Sequence, residues 1–180
     1  MSIQTGNELD EFYSDADPWG YERNVDDQRR RVELLASLPR TRFRRCLDIG
    51  CGNGFVTFSL PAEQVMGVDI SAAAIAWAEK ASTHESQPER FSFRHSSIFQ
   101  LDESLGTFDL IVITGVLYDQ YIGRGAPLIR NLIDARLECG GTLVSCHIRS
   151  WNAPRFPYTL LDMNLYPYRE FTHQLEVYRK

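Results

Sequence analysis

Asp48 closes a short apolar run, and three glycines follow it in the pattern G-x-G-x-G: Gly50, Gly52 and Gly54. Glycines at that spacing let the chain turn tightly and let a ligand approach the backbone with no β-carbon in the way. Residues 55–60 are expected to form a short helix ended by Pro61, whose first free amides favour a polar or anionic ligand. Asp69 closes the next apolar run. An acid at the end of a second strand lies beside the ribose of a bound nucleoside, where it accepts hydrogen bonds from both hydroxyls. The chemistry predicted is therefore capture of a nucleoside cofactor. A nicotinamide-dinucleotide site wants its third glycine where this chain has Phe55, which disfavours an oxidoreductase. No Gly-Lys-Ser/Thr phosphate loop is present either.

Two further side chains could touch a second substrate. Tyr118 follows the fourth apolar run and His147 ends the fifth. The carboxyl ends of strands are where open α/β sheets bind ligands. His147 reads either as a general base or as a hydrogen-bonded structural histidine, and Tyr118 as a pocket wall or a base. Tyr13 and Trp19 precede the core and either close over the cofactor or pack in an N-terminal mini-core. The cysteines Cys46, Cys51, Cys139 and Cys146 form no C-x-x-C pair, and the histidines are scattered. No metal site is expected, and the cysteines read as buried, reduced, small apolar residues.

These residues need strands to carry them. Asn24 is a good N-cap for a helix over 24–38, with Asp26 and Asp27 in the first turn and Pro39 as the stop. Strands are predicted at 46–49, 65–69, 91–93, 108–113 and 142–147. Helices are predicted at 72–81, capped by Ser71, and at 127–136, with Pro127 tolerated in its first turn. Gly140-Gly141 is read as the turn into the fifth strand. Residues 165–180 leave little room for a crossover helix between their two short strands, so an antiparallel edge hairpin is expected. Strands alternating with helices imply an α/β fold with a mostly parallel central sheet and helices on both faces. The expected organisation is an N-terminal helical cap, residues 1–40, on a Rossmann-like domain, residues 41–180.

Composition bounds the rest. The chain has 180 residues, 43% of them hydrophobic, enough for one core. Its first eleven residues, Met1 to Glu11, are polar and acidic, unlike a signal peptide. A cytoplasmic protein with no membrane span is expected. The net charge of −5 argues against nucleic acid as the main partner. Arginines nevertheless crowd positions 23–45, balanced in part by Glu22, Asp26, Asp27 and Glu33. They read as a solvated helix face or as an anion-binding rim.

Residues 46–54 resemble the first motif of the class I S-adenosylmethionine-dependent methyltransferases. Val68-Asp69-Ile70-Ser71 resembles their ribose-acid segment, residues 108–112 their fourth-strand motif, and residues 139–144 their turn into strand five. Asp17-Pro18-Trp19 before an arginine-rich helix, with Val116-Leu117-Tyr118, is similar to the nodulation-type N-methyltransferases, which act on an amino sugar of a chitooligosaccharide. The resemblance implies S-adenosyl-L-methionine as cofactor and S-adenosyl-L-homocysteine as product. It implies that Gly50, Cys51, Gly52, Asn53 and Gly54 face the methionine half, with Asp48 near its ammonium. Asp69 would then hold the ribose, Ile70 would pack on adenine, and Thr114 would end the fourth strand beside the cofactor. Where many members carry an aspartate for the adenine amine, this chain has Ser97, followed by Ile98. No Asn-Pro-Pro-Tyr or Asp-Pro-Pro-Tyr follows the fourth strand, which points away from nucleobase and amide acceptors. A small-molecule acceptor bearing an amine or hydroxyl is expected, such as a sugar or carrier-linked intermediate. The short segment after strand five suggests an open pocket or one completed in a homodimer. The alternatives are a cofactor-binding accessory subunit without transferase activity and a nucleic-acid methyltransferase.

Overall fold

Leu47, Ile49, Ile111, Ile113 and Leu143 pack into one core cluster, whereas their neighbours Cys46, Leu110, Val112, Val144 and Cys146 pack into another. Successive strand residues point to opposite faces, so a run that is apolar at every position is a strand covered on both sides. The computed structural model describes residues 6–21, 23–101 and 103–180, so Glu22 and the first five residues of the acidic start lie outside the description. Its strands are β1 (Phe43–Ile49), β2 (Ala62–Asp69), β3 (Phe91–His95), β4 (Phe108–Thr114), β5 (Leu137–Ile148), β6 (Thr159–Tyr168) and β7 (Phe171–Arg179). They form one sheet in the order β3-β2-β1-β4-β5-β7-β6. The first five are mutually parallel, and β7 runs antiparallel to both β5 and β6. The α/β fold with an antiparallel C-terminal edge hairpin is as expected.

The helices are α1 (Gly6–Phe12), α2 (Val25–Ser37), α3 (Ala72–Ser82), α4 (Asp119–Ile122) and α5 (Ala126–Arg136). Asn24 caps α2 by accepting the Asp26 amide at 2.9 Å, and Ser71 caps α3 by accepting the Ala74 amide at 3.0 Å. α1 is tied to α3, because Asp10 accepts from the Ser71 hydroxyl and the Ala73 amide. Among the described residues no helix is long and apolar enough to cross a membrane.

Five expectations need correction. The short helix at 55–60 is one 3-10 turn, Thr57–Ser59. Too few residues separate Gly54 from Pro61 to repay helix nucleation, and the Phe58 ring instead packs edge-on against Phe91 and Phe93. Gly140-Gly141 is not a turn before β5 but an irregularity within it, paired with Lys180 at the end of the hairpin. The hairpin itself starts earlier, at Thr159. Cys46, Cys51 and Cys146 are buried, but Cys139 is exposed. The arginine-rich stretch divides: Arg44 pairs with Asp109 and Glu138, Arg42 with Glu63, and Arg29 with Glu33, whereas Arg30 points into the protein.

Candidate active site

The loop after β1 folds back on β2. The amides of Gly50 and Cys51 both donate to the Val68 carbonyl, at 2.8 and 3.1 Å. That path requires left-handed backbone at Gly50 (φ 75°) and Gly52 (φ 55°), which only glycine adopts at little cost. A β-carbon on Gly50 would sit 2.1 Å from Val116, and one on Gly52 2.6 Å from the Tyr13 hydroxyl. The loop is pinned from the other side by Asp69, whose carboxylate accepts from the Gly52 and Ser71 amides, each at 2.9 Å.

Beside this loop lies a cavity of about 410 Å³, within the range of roughly 300–1,000 Å³ typical of ligand pockets. It is lined by Tyr13, Trp19, Asp48, Gly50, Cys51, Gly52, Asp69, Ile70, Ser97, Ile98, Thr114 and Tyr118 of the expected residues. Trp19 stacks on Phe12. Ser97 also caps its own short turn, accepting the Phe99 amide at 3.2 Å, which leaves its hydroxyl proton to donate. Three expected residues are not there. Gly54 is packed by Phe58, and the Asn53 side-chain amide donates to the Ala16 carbonyl, so both shape the loop instead of lining the cavity.

His147 is the third. Period-two alternation puts its side chain on the opposite face of β5 from Cys146. It is buried, and its Nε2 accepts the Leu117 amide at 3.2 Å. Its proton therefore sits on Nδ1, 3.0 Å from the Ser145 hydroxyl. Burial pushes its pKa down to about 3, so it is neutral. The Tyr118 hydroxyl accepts the Ile148 amide at 2.9 Å, and burial raises its pKa. Its ring meets Trp151 edge-on at 4.7 Å, so Tyr118 is part of the wall.

Two charged side chains of the cavity lining each keep a buried atom without a partner. Asp48 is 1% exposed. Its Oδ2 accepts the Thr57 hydroxyl at 2.7 Å, while Oδ1 is buried with no partner. Burial raises its pKa to about 6, against the pull of the Thr57 hydrogen bond and of Arg30. Arg30 is 8% exposed. It pairs with Asp27 at 3.3 Å and reaches Thr114 at 3.4 Å, and its Nε has no partner. The guanidinium lies over the Tyr21 ring. Burial also raises the pKa of Asp69, opposed by the two amides it accepts. Arg30 escaped the sequence reading because nothing local separates it from its solvated neighbours. The hairpin residues Tyr168, Arg169, Phe171 and His173 also line the cavity, without any local sequence signal.

Residues 43–172 match the methyltransferase domain family. The chain belongs to this family. Within it, the chain is 30% identical over 153 residues to a protein-lysine N-methyltransferase of Schizosaccharomyces pombe, covering 69% of this chain and 60% of that protein. It is 33% identical over 85 residues to the tRNA1(Val) (adenine(37)-N6)-methyltransferase of Yersinia pestis, covering 39% of this chain and 34% of that one. The chain thus spans less than two thirds of the length of these curated relatives. Among solved structures it is similar to the N-methyltransferase NodS of Bradyrhizobium japonicum in complex with S-adenosyl-L-homocysteine. The TM-score is 0.78 at 24% identity, over 97% of each chain.

Proposed function

We propose that this methyltransferase domain binds S-adenosylmethionine in the cavity beside Gly52 and methylates an amine or hydroxyl of a small molecule. The observation that carries the reading is the pair Arg30 and Asp48. Among the described residues, they alone line this cavity with a buried side-chain atom that lacks a partner, one cationic and one acidic. The amino-acid end of S-adenosylmethionine is a zwitterion, and it fits such a pair, carboxylate toward Arg30 and ammonium toward Asp48. Buried charged groups with an unsatisfied atom are costly, so a ligand that satisfies both is favoured. Asp69 keeps lone pairs for the ribose hydroxyls, and Ile70 and Ile98 offer apolar surface to adenine. Phe55 occupies the place of the dinucleotide glycine and stacks on Tyr21, which counts against a nicotinamide cofactor.

The bound cofactor supplies a methyl group already activated by a sulfonium. The protein's share is to position the acceptor and exclude water. Tyr118, Trp151 and Phe171 form an aromatic wall beyond Asp48, suited to a compact organic acceptor. The acidic net charge and the pairing of Arg29, Arg42 and Arg44 with carboxylates disfavour a nucleic-acid backbone.

The test is transfer of labelled methyl from S-adenosylmethionine to glucosamine, putrescine, tyramine, bulk tRNA and whole-cell protein. Uptake into the small molecules is expected. Uptake confined to tRNA, with retention that falls steeply as salt rises, or confined to protein, would overturn the acceptor class.

A further inference from the structure

We infer that His173 is the residue that receives the acceptor: its Nε2 accepts a hydrogen bond from the acceptor's N–H or O–H and so aims that atom's lone pair at the methyl donor. The inference rests on the cofactor reading above. His173 lies on β7, opposite Ile148 of β5 and Tyr166 of β6. It is buried from bulk solvent yet lines the cavity with Tyr118 and Phe171.

Its ring is fixed on several sides. Tyr168 stacks on it at 3.8 Å, and Tyr166 meets it edge-on at 5.5 Å. Nδ1 lies 3.4 Å from the Tyr166 hydroxyl and 3.7 Å from the Cys146 sulfur. The Tyr166 hydroxyl is closer to that sulfur, at 3.2 Å. The inferred proton arrangement has the Tyr166 hydroxyl donating to Cys146 and accepting from Nδ1–H of His173. This tautomer leaves an in-plane lone pair on Nε2. Among the described residues no hydrogen bond or ion pair engages that atom, and the ring borders the cavity. His147 offers no such lone pair, because its Nε2 is spent on Leu117.

The surroundings favour a hydrogen-bond acceptor over a proton store. The titratable and charged groups that act on the imidazole are Arg30 of α2, Cys146 and, electrostatically, His147 of β5, Tyr166 and Tyr168 of β6, and Arg169 in the hairpin turn. Asp27 is already shared by Arg30, Arg169 and the Tyr168 hydroxyl. Burial, with Arg30 and Arg169, pushes the His173 pKa down to about 3. A histidine held neutral keeps its lone pair into mild acid and cannot protonate an incoming amine, which must arrive unprotonated to react.

The first test needs no acceptor. Long-range ¹H–¹⁵N correlation on the wild-type protein saturated with S-adenosylhomocysteine reads the tautomer of His173 between pH 5 and 8. Protonated Nδ1, bare Nε2 and no titration in that range are expected. An Nε2–H tautomer, or a midpoint near 6.5, would overturn the inference. Variants then separate roles. His173→Leu should keep S-adenosylhomocysteine affinity within about twofold and lose methyl uptake into the best of glucosamine, putrescine and tyramine by about 100-fold, the scale of a misplaced reacting atom. His173→Gln, with an amide oxygen to accept the same hydrogen bond, should recover part of it. Undiminished uptake in His173→Leu would refute the assignment. Failure of the wild type to bind S-adenosylhomocysteine would instead sink the cofactor reading, and this inference with it.

Discussion

The carboxylate of Asp69 accepts the Gly52 amide proton at 2.9 Å, so the end of β2 and the loop after β1 are tied together. Replacing either residue should therefore disturb both the loop and the cofactor. Asp69→Ala is expected to weaken S-adenosylhomocysteine binding by about 2–3 kcal/mol, as when hydrogen bonds to a charged group are lost. Asp69→Asn, which keeps an acceptor for one amide, should lose less. Gly52→Val should abolish binding, since its β-carbon alone would crowd the Tyr13 hydroxyl. Calorimetry measures all three, and wild-type affinity in Asp69→Ala would refute the placement of the ribose.

Arg30 can be tested with a ligand lacking the amino-acid end. 5′-Methylthioadenosine should bind the wild type and Arg30→Met with similar affinity. S-adenosylhomocysteine should lose at least about tenfold in the variant, the scale of one charge-assisted hydrogen bond. Asp27 retains Arg169 and the Tyr168 hydroxyl, which should hold the variant's fold together. Equal losses for the two ligands would place the carboxylate elsewhere.

Asp48 lowers the stability of the folded state at neutral pH. Its folded pKa of about 6 lies above the ordinary carboxylate value, so the folded state holds the proton more firmly. Stability falls as pH rises from about 4 to about 6 and is flat above, by a total on the order of 3 kcal/mol. Asp48→Asn should therefore raise the melting temperature at pH 7–8 while weakening S-adenosylhomocysteine binding there. A lower melting temperature with intact binding would contradict this account.

The two buried histidines act with the opposite sign. His147 and His173 are both held down to about 3 in the folded state. The unfolded chain binds their protons first, so stability is lost as pH falls from about 6.5 toward 3. In Asp48→Asn this acid loss should steepen, because the opposing carboxyl no longer titrates. His147→Ala should cost about 1–3 kcal/mol by stranding the Leu117 amide, with cofactor affinity unchanged. Urea titration across pH 4–8 checks both.

Thiol chemistry offers a check on the packing. Only Cys139 of the four cysteines is exposed, and burial raises the pKa of the other three thiols. A thiol reagent at pH 8 should modify one group rapidly in the native protein and four after denaturation. Rapid loss of a second thiol that S-adenosylhomocysteine prevents would mark Cys51 as open to the cavity.

The sequence by itself determined the frame: the mostly parallel sheet implied by alternating elements, the glycine loop, the acid at Asp69, and the caps at Asn24 and Ser71. Each is a local feature. Side-chain periodicity, left-handed backbone and capping depend on residues a few positions apart, so they can be read along the chain. The family resemblance extended that frame to the cofactor. Only the tertiary structure decided which side chains meet in the cavity. Arg30 differs from its arginine neighbours solely because the face of α2 that carries it packs against the sheet beside Thr114. His147 reads from the sequence as a base or a structural histidine, and alternation along β5 turns it to the face opposite Cys146, where it holds the Leu117 amide. His173 and Tyr168 enter the cavity because β7 runs antiparallel beside β5 in a register that sets His173 opposite Ile148. That register is fixed by packing on both faces of the sheet, and a shift of one residue would point His173 away from the cavity.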